Sequence, residues 1–531
     1  MKAVLKHPER GSTRQGWGLQ IAGWVTAVVF LAPLGYLLWV ALSGSGLAQG
    51  INATRIGPPL LRSVVLAAAT ALTTAVIGMA LAWVTMRTDL PGKRIWRVAA
   101  ALPLAIPSYV GAAALRAAFG PGGLVAWVPR PSGFWGALAA LSLLTYPYVY
   151  LPVAVKLARM PASIEDAAKL LGDSTFRVVR RVVLPQLRLP ILAGGLITFL
   201  YALSDFGAVS LMRYDTVTRV IYSSRLADPD TATLLAVLLG AMAIAIVLAE
   251  RRFARRAEGD TFSIGEGKVY ALGRLRPWLS AATGAFVASV LVSPVVVFAL
   301  WWWRGSAAAG AALAEMGDNV LALVEPAANS AVAGALAGLA AIVILLPAAY
   351  LQRDGRSWAG TLSNVAVAAT FALPGLVLAL SLVYWVLQAP AAVASLYQTL
   401  PLLILVYVIH FGVQSHRAST DAVQSLPERY NEAAKVLGAG RLRRFLTVEA
   451  PLLAPGVVVG GGLVMLSALK ELPATLLLAP IGFDTLATRI WGAAEEGFLA
   501  EMGSTSLALM AVSAVLTWVL ILRPTALRSL Q

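Results

Sequence analysis

The chain has 531 residues, 59% of them hydrophobic and 13% charged, with a mean hydropathy of +0.76 and a net charge of +16. Soluble globular proteins are roughly 45–50% apolar and about 25% charged, so this composition excludes one and makes lipid the solvent. With no cysteine, disulfides, thiolate metal centres and cysteine nucleophiles are excluded, and His7, His410 and His416 are too scattered for a histidine metal centre.

Lys2, Lys6, Arg10 and Arg14 precede an apolar run from Leu19 to Leu42. That run exceeds the ~7–15 residues of a signal-peptide core, so it reads as an uncleaved first span. Further runs near the ~20 residues needed to cross a bilayer lie at 60–86, 98–119, 134–155, 189–212 and 231–250. A second set lies at 277–302, 326–351, 361–387, 399–414, 452–479 and 503–522. The expectation is an all-α integral membrane fold of about twelve spans, six per half. Arg116 interrupts the third run, Pro374 sits inside the ninth, and the tenth is short. Most of the 42 Lys and Arg residues fall in alternate loops, which puts those loops and both termini in the cytoplasm and argues against nucleic acid as the partner of the positive charge. Trp301, Trp302 and Trp303 read as an interfacial anchor at the outer surface.

The chain repeats itself. MPASIEDAAKLLGDSTFRVVRRVVLPQLRLP at 160–190 superposes on LPERYNEAAKVLGAGRLRRFLTVEAPLLAPG at 426–456 without a gap, Pro161 on Pro427 and Pro185 on Pro451, an offset of 266. Arg87 matches Arg353 at the same offset, and AIP at 105–107 matches ALP at 372–374 one residue later. An even number of spans per half makes the repeats parallel, with a pseudo-two-fold axis along the membrane normal and a pathway between them. The halves are 1–250 and 277–531, joined by a charged, glycine-containing cytoplasmic linker at 251–276. GEGKV in that linker is no phosphate loop, since Val269 follows the lysine where Ser or Thr is required.

Each repeated segment reads as a helix–turn–helix knob. Ser163 and Asp166 suggest a capping box, AAKLL and AAKVL favour helix, and Gly172 and Gly438 stand where a glycine would end it. A second basic helix follows, which Pro185 or Pro451 should stop before the next span. Two acids lie inside spans at matched positions, Asp205 and Glu471. An ionisable group at that depth is costly and faces a cavity or a partner. Either they line the pathway and meet a cationic substrate, or they are structural, paired with Lys470, Arg116 or helix termini. Gly194–Gly195 and Gly460–Gly461 suit close helix packing, and Pro107 and Pro374 should kink spans three and nine.

EAA…G between the fourth and fifth spans of a six-span unit resembles the EAA loop of type I ABC importer permeases. That resemblance implies two docking sites for a cytoplasmic ATPase: Asp166, Ala167, Ala168 and Gly172 in one, and Glu432, Ala433, Ala434 and Gly438 in the other. The first copy departs from the pattern, with Asp166 where the motif has glutamate. YDTVTRVIY at 214–222 and FDTLATRIW at 483–491, with SDFGAVSLM and KELPATLLLAP, look like the fused ferric-iron importer permeases over essentially the whole chain. The resemblance implies a non-catalytic inner-membrane subunit, two ATPase copies carrying the ATP and Mg, no cofactor on this chain, and a periplasmic binding protein docking near Asp215 and Asp484. Hard trivalent iron suits carboxylate oxygens, as do other cations. Thiamine, phosphonate, polyamine or sulfate importers stay open, as does a secondary transporter. No nucleophile–base cluster supports a membrane enzyme.

Overall fold

The computed structural model describes residues 17–43, 53–258, 268–308, 321–353 and 357–519. Among them the chain is helical, with two isolated bridges (Thr88–Tyr270 and Phe119–Val125) in place of a sheet. Nine helices are long and apolar enough to cross a membrane, and two bent pairs bring the total to eleven. The helix missing from the expected twelve is the tenth, Leu400–Gln424, which carries buried Ser415, His416 and Ser419. It packs between Val324–Arg353 and Ala450–Leu469, so protein surrounds much of it and the hydropathy of a lipid-facing helix is not required. Both termini, with their basic residues, lie outside the described residues.

The two halves pack alike. In the first, Ala53–Arg87, Pro147–Arg159 and Leu184–Ser204 form a mutually packed triad. In the second, Val324–Arg353, Leu400–Gln424 and Ala450–Leu469 form the same one. Lipid supplies no hydrophobic drive between helices, so small residues that let backbones approach carry the association. A Cβ on Gly194 would stand 2.5 Å from the Tyr148 carbonyl oxygen, and one on the equivalent Gly460 would stand 2.8 Å from Ala418.

The first helix of each half crosses to the other half. Trp17–Ser43 packs along Trp358–Phe371, and Arg276–Ala308 packs against Ser108–Ala118. Ser381 Oγ donates to the Pro33 carbonyl (2.6 Å) at the first crossing, and Trp301 Nε1 to the Ala117 carbonyl (2.9 Å) at the second. Trp301, expected as part of an interfacial anchor, is half-buried and ties the halves, whereas Trp303 is exposed.

Prolines correct several expectations. At Pro107 and Pro374 the chain bends by 95° and 109°, which are breaks rather than kinks. Ile106 is extended (φ −89°, ψ 121°) because the proline ring disfavours helical backbone in the residue before it. Pro185 and Pro451 do not stop the basic helices. A π turn at each place, Val179–Val183 and Phe445–Glu449, carries the helix through into Leu184–Ser204 and Ala450–Leu469. Proline lacks an N–H and crowds the carbonyl four residues back, and a wider turn relieves both.

Spans five and eleven end at Ser204 and Leu469, short of the expected 212 and 479. The chain resumes in the short helices Gly207–Leu211 and Pro473–Leu478, so Asp205 and Glu471 sit at breaks and not within helices. The helix Pro229–Glu258 runs on into the expected linker, of which 259–267 lie outside the described residues.

Candidate functional site

The two knob helices are Ala162–Leu170 and Glu428–Val436. Ser163, expected as a cap, lies inside its helix. Pro161 holds the N-cap position with extended backbone, and no side chain caps the turn. The expected glycine stops are present, with Gly172 at φ +88° and Gly438 at φ +77°. Gly172 N–H donates to the Lys169 carbonyl (3.0 Å) and Asp173 N–H to that of Ala168 (3.2 Å). Gly438 and Ala439 repeat this toward Lys435 and Ala434, both at 3.0 Å. The pattern satisfies the last carbonyls of the helix and requires a left-handed residue. A Cβ at either glycine would meet nothing within 4 Å, so backbone conformation sets the constraint.

Asp166, Ala167, Glu432 and Ala433 are exposed, Ala168 is half-buried and Ala434 is buried beside the π turn. Beside them stands an apolar surface that sequence reasoning missed. Leu170 and Leu171 are 89% exposed, their counterparts Val436 and Leu437 are 87% and 86% exposed, and Phe176 and Leu442 extend the two patches at one shared offset. Large apolar side chains held in solvent at matched places mark an interaction surface. Their doublets stand in AAKLL and AAKVL, where helix preference alone says nothing of which face they present.

The first knob is fastened to the body of the protein by the end of the linker. Glu165 is fully buried opposite Arg87, with Nη2 and Oε1 3.1 Å apart as an ion pair without hydrogen-bond alignment. Its other oxygen accepts from the Tyr270 hydroxyl. Burial and the Glu165 carboxylate hold that phenol above its ordinary range, so it stays protonated and donates. Arg87 Nη1 donates to the Lys268 carbonyl (3.2 Å), Tyr270 N–H to that of Arg87 (2.7 Å), and Leu272 N–H to Asp89 Oδ1 (2.9 Å). The Lys268 ammonium pairs with Asp166, which raises its pKa. Residues 268–272 thus form a strap across the first knob. The second half has Asn431 where Glu165 stands. It relies instead on Glu449, which accepts from the Tyr350 hydroxyl (2.6 Å) and pairs with Arg444 (3.3 Å).

The breaks in the spans meet at the centre. Phe206 and Trp491 rings lie 5.1 Å apart across the halves, and a Cβ on Gly207 would meet both Tyr109 and Leu472. Asp205 is buried at the start of a short helix. Its Oδ1 accepts from Ala208 N–H (2.9 Å) and Val209 N–H (3.2 Å), and its Oδ2 from the Ser108 hydroxyl at the first turn of Ser108–Ala118. Two helix N-termini therefore favour its negative charge. Glu471 accepts one long bond, from Ala474 N–H (3.4 Å). Of the partners left open for these acids, helix termini are the ones found. Arg116 donates instead to the Leu211 carbonyl, and no ion pair joins Lys470 to either acid among the described residues. No group of three or more His, Cys, Asp or Glu that could hold a metal occurs among the described residues.

At the end of the bundle away from the knobs, the two DT loops are pinned alike. Val217 N–H donates to Ser63 Oγ (2.8 Å) and Leu486 N–H to Ser330 Oγ (2.9 Å). Asp215 pairs with Arg62 (3.6 Å) and Arg219, whereas Asp484 offers its carbonyl to Asn329 (3.0 Å).

Residues 75–258 and 332–528 each match the family described as binding-protein-dependent transport system inner membrane component. The Fe(3+)-transport system permease protein FbpB 2 of Haemophilus influenzae is 28% identical over 78% of this chain and 80% of its own length. A probable ABC transporter permease of Sinorhizobium fredii is 23% identical over 87% of both chains. A probable molybdenum ABC transporter permease of Haloferax volcanii is 30% identical over 45% of this chain and 93% of its own. Such permeases work with an ATPase and a substrate-binding protein, and the duplicated fold, the twin knobs and these matches together make this chain a multi-pass ABC transporter permease, two copies of the binding-protein-dependent inner membrane component fused in one polypeptide.

Proposed function

We propose that this permease carries ferric iron, delivered by a periplasmic substrate-binding protein, through the interface between its halves 1–250 and 277–531. Two copies of an ATPase, which hold the ATP and Mg, seat on the knobs, and this chain is non-catalytic and binds no cofactor. The observation that carries the reading is the pair of knobs with exposed apolar residues at equivalent positions beside Asp166, Ala167, Ala168 and Gly172 and beside Glu432, Ala433, Ala434 and Gly438. Closure of the ATPase dimer pushes both knobs and rocks the halves between inward- and outward-facing states. Both knobs and both termini face the cytoplasm, where the basic loops belong.

Iron is favoured over the other substrates by the FbpB relative, which matches most of both chains, and by two acids, Asp205 and Glu471, along the central line. The molybdenum permease relative supports an oxyanion as second reading, but acids on the pathway would repel one. The test is uptake into proteoliposomes holding the chain, its ATPase and its binding protein. ATP-dependent entry of iron, with molybdate and sulfate left outside, is the expected result. Entry of an oxyanion but not iron would overturn the assignment.

A further inference from the structure

We infer that the substrate is met on one side of the pseudo-two-fold axis, by Glu471 with His410 and Tyr109, and not equally by the two matched acids. This rests on reading the chain as a pathway for a hard cation. The repeat places Asp205 and Glu471 at equivalent breaks, yet their surroundings differ. Asp205 has three donors on its two oxygens. Glu471 has one, at 3.4 Å, and keeps most of its acceptor capacity.

One substitution between the halves explains the difference. Ser108, whose hydroxyl ties down Asp205, is replaced in the second half by Gly375. A Cβ on Gly375 would lie 2.4 Å from Glu471 Oε1 and 3.2 Å from His410 Nε2. Glycine there lets the longer acid reach forward and leaves carboxylate and imidazole on two sides of one point.

The other two groups are also confined to one half. His410 stands where the first half has Leu144, and Tyr109 where the second half has Leu376. The Tyr109 hydroxyl and His410 Nδ1 are buried without a hydrogen-bond partner, and Tyr109 lies within electrostatic reach of Glu471. Unpaired buried polar groups are expensive, so the Tyr109 hydroxyl near a carboxylate with spare acceptor capacity, which His410 faces through Nε2, marks a place where a ligand completes the bonding. The carboxylate and phenol oxygens suit a hard cation, and the borderline imidazole adds a weaker iron ligand, a set fit for an ion that must be held briefly and released. Only Glu471 lies at a break, with Tyr109 in the helix Ser108–Ala118 and His410 in Leu400–Gln424, so three ligands on separate elements make a passing site rather than a resident metal centre.

Glu471→Gln and His410→Gln keep side-chain volume, and Gly375→Ser recreates the tie that occupies Asp205. Each is assayed in proteoliposomes with the ATPase and the iron-loaded binding protein, as iron carried per ATP hydrolysed. All three should lower that ratio roughly tenfold or more, the loss expected when a bond to a charged partner is removed, and Tyr109→Phe should lower it less. If the wild type carries iron and the Glu471 and His410 variants carry it equally well, the one-sided site is wrong while the iron reading stands. If the wild type carries no iron, that reading fails and this inference with it.

Discussion

Removing the carboxylate of Glu165 should loosen the first knob and leave the second intact. Both Glu165 and Arg87 are wholly buried, and their nearest charged atoms are 3.1 Å apart. Glu165→Ala strands the guanidinium without a counter-charge, and breaking a buried pair in this way costs about 3–5 kcal/mol. The unaligned geometry, and the retained bond from Arg87 to the Lys268 carbonyl, point to the lower end of that range. Tyr270→Phe removes one hydrogen bond to a charged group, about 1.5–3 kcal/mol. Replacing both charges at once, Arg87→Met with Glu165→Leu, should cost far less than Glu165→Ala because neither charge is left alone. The assay is denaturant unfolding of the purified chain in detergent, with hydrogen exchange resolving residues 160–172 from 426–438. Equal stability of Glu165→Ala and wild type, or equal loss of protection at both knobs, would refute the strap as a fastening of the first knob.

Other outcomes follow from the same geometry. Gly438→Val forces a side chain into left-handed backbone, about 1–2 kcal/mol, and should weaken ATPase co-purification while helical content stays constant; Gly438→Asn should be milder. Leu171→Asp with Leu437→Asp should abolish ATPase co-purification without lowering the melting temperature, because both side chains already stand in solvent. Gly194→Val should destabilise the first triad by about 1–3 kcal/mol, read by thermal unfolding in detergent, since its Cβ would meet Tyr148 backbone. Asp166→Ala removes the partner of Lys268 at the surface and should change ATPase affinity more than stability.

The repeat, the membrane class and the glycine-stopped knobs were readable because they depend on local pattern. A polar basic island between apolar runs, twice at one offset, leaves few alternatives, and the φ of +88° and +77° at Gly172 and Gly438 is what glycine at a helix end implies. The misreadings share a cause. Pro107, Pro374, Asp205 and Glu471 lie in runs apolar enough to look like whole spans, and hydropathy cannot show that a proline or an acid breaks the helix at mid-depth. Pro185 and Pro451 were misjudged in the opposite sense, since a π turn absorbs them. The strap was invisible because Glu165, Tyr270 and Arg87 are far apart in sequence and individually ordinary. Equivalent positions carry Asn431 and Arg353, so the missing carboxylate at Asn431 is the one sign in the repeat that the two knobs are held differently.

The most direct test of force transfer through the knobs is iron uptake by proteoliposomes containing the chain with its ATPase and binding protein, compared with vesicles lacking the ATPase. Uptake should require ATP, the ATPase and the binding protein together, and should vanish in the Leu171→Asp, Leu437→Asp double variant. Uptake driven by a proton or sodium gradient without the ATPase, or undiminished in that variant, would contradict it.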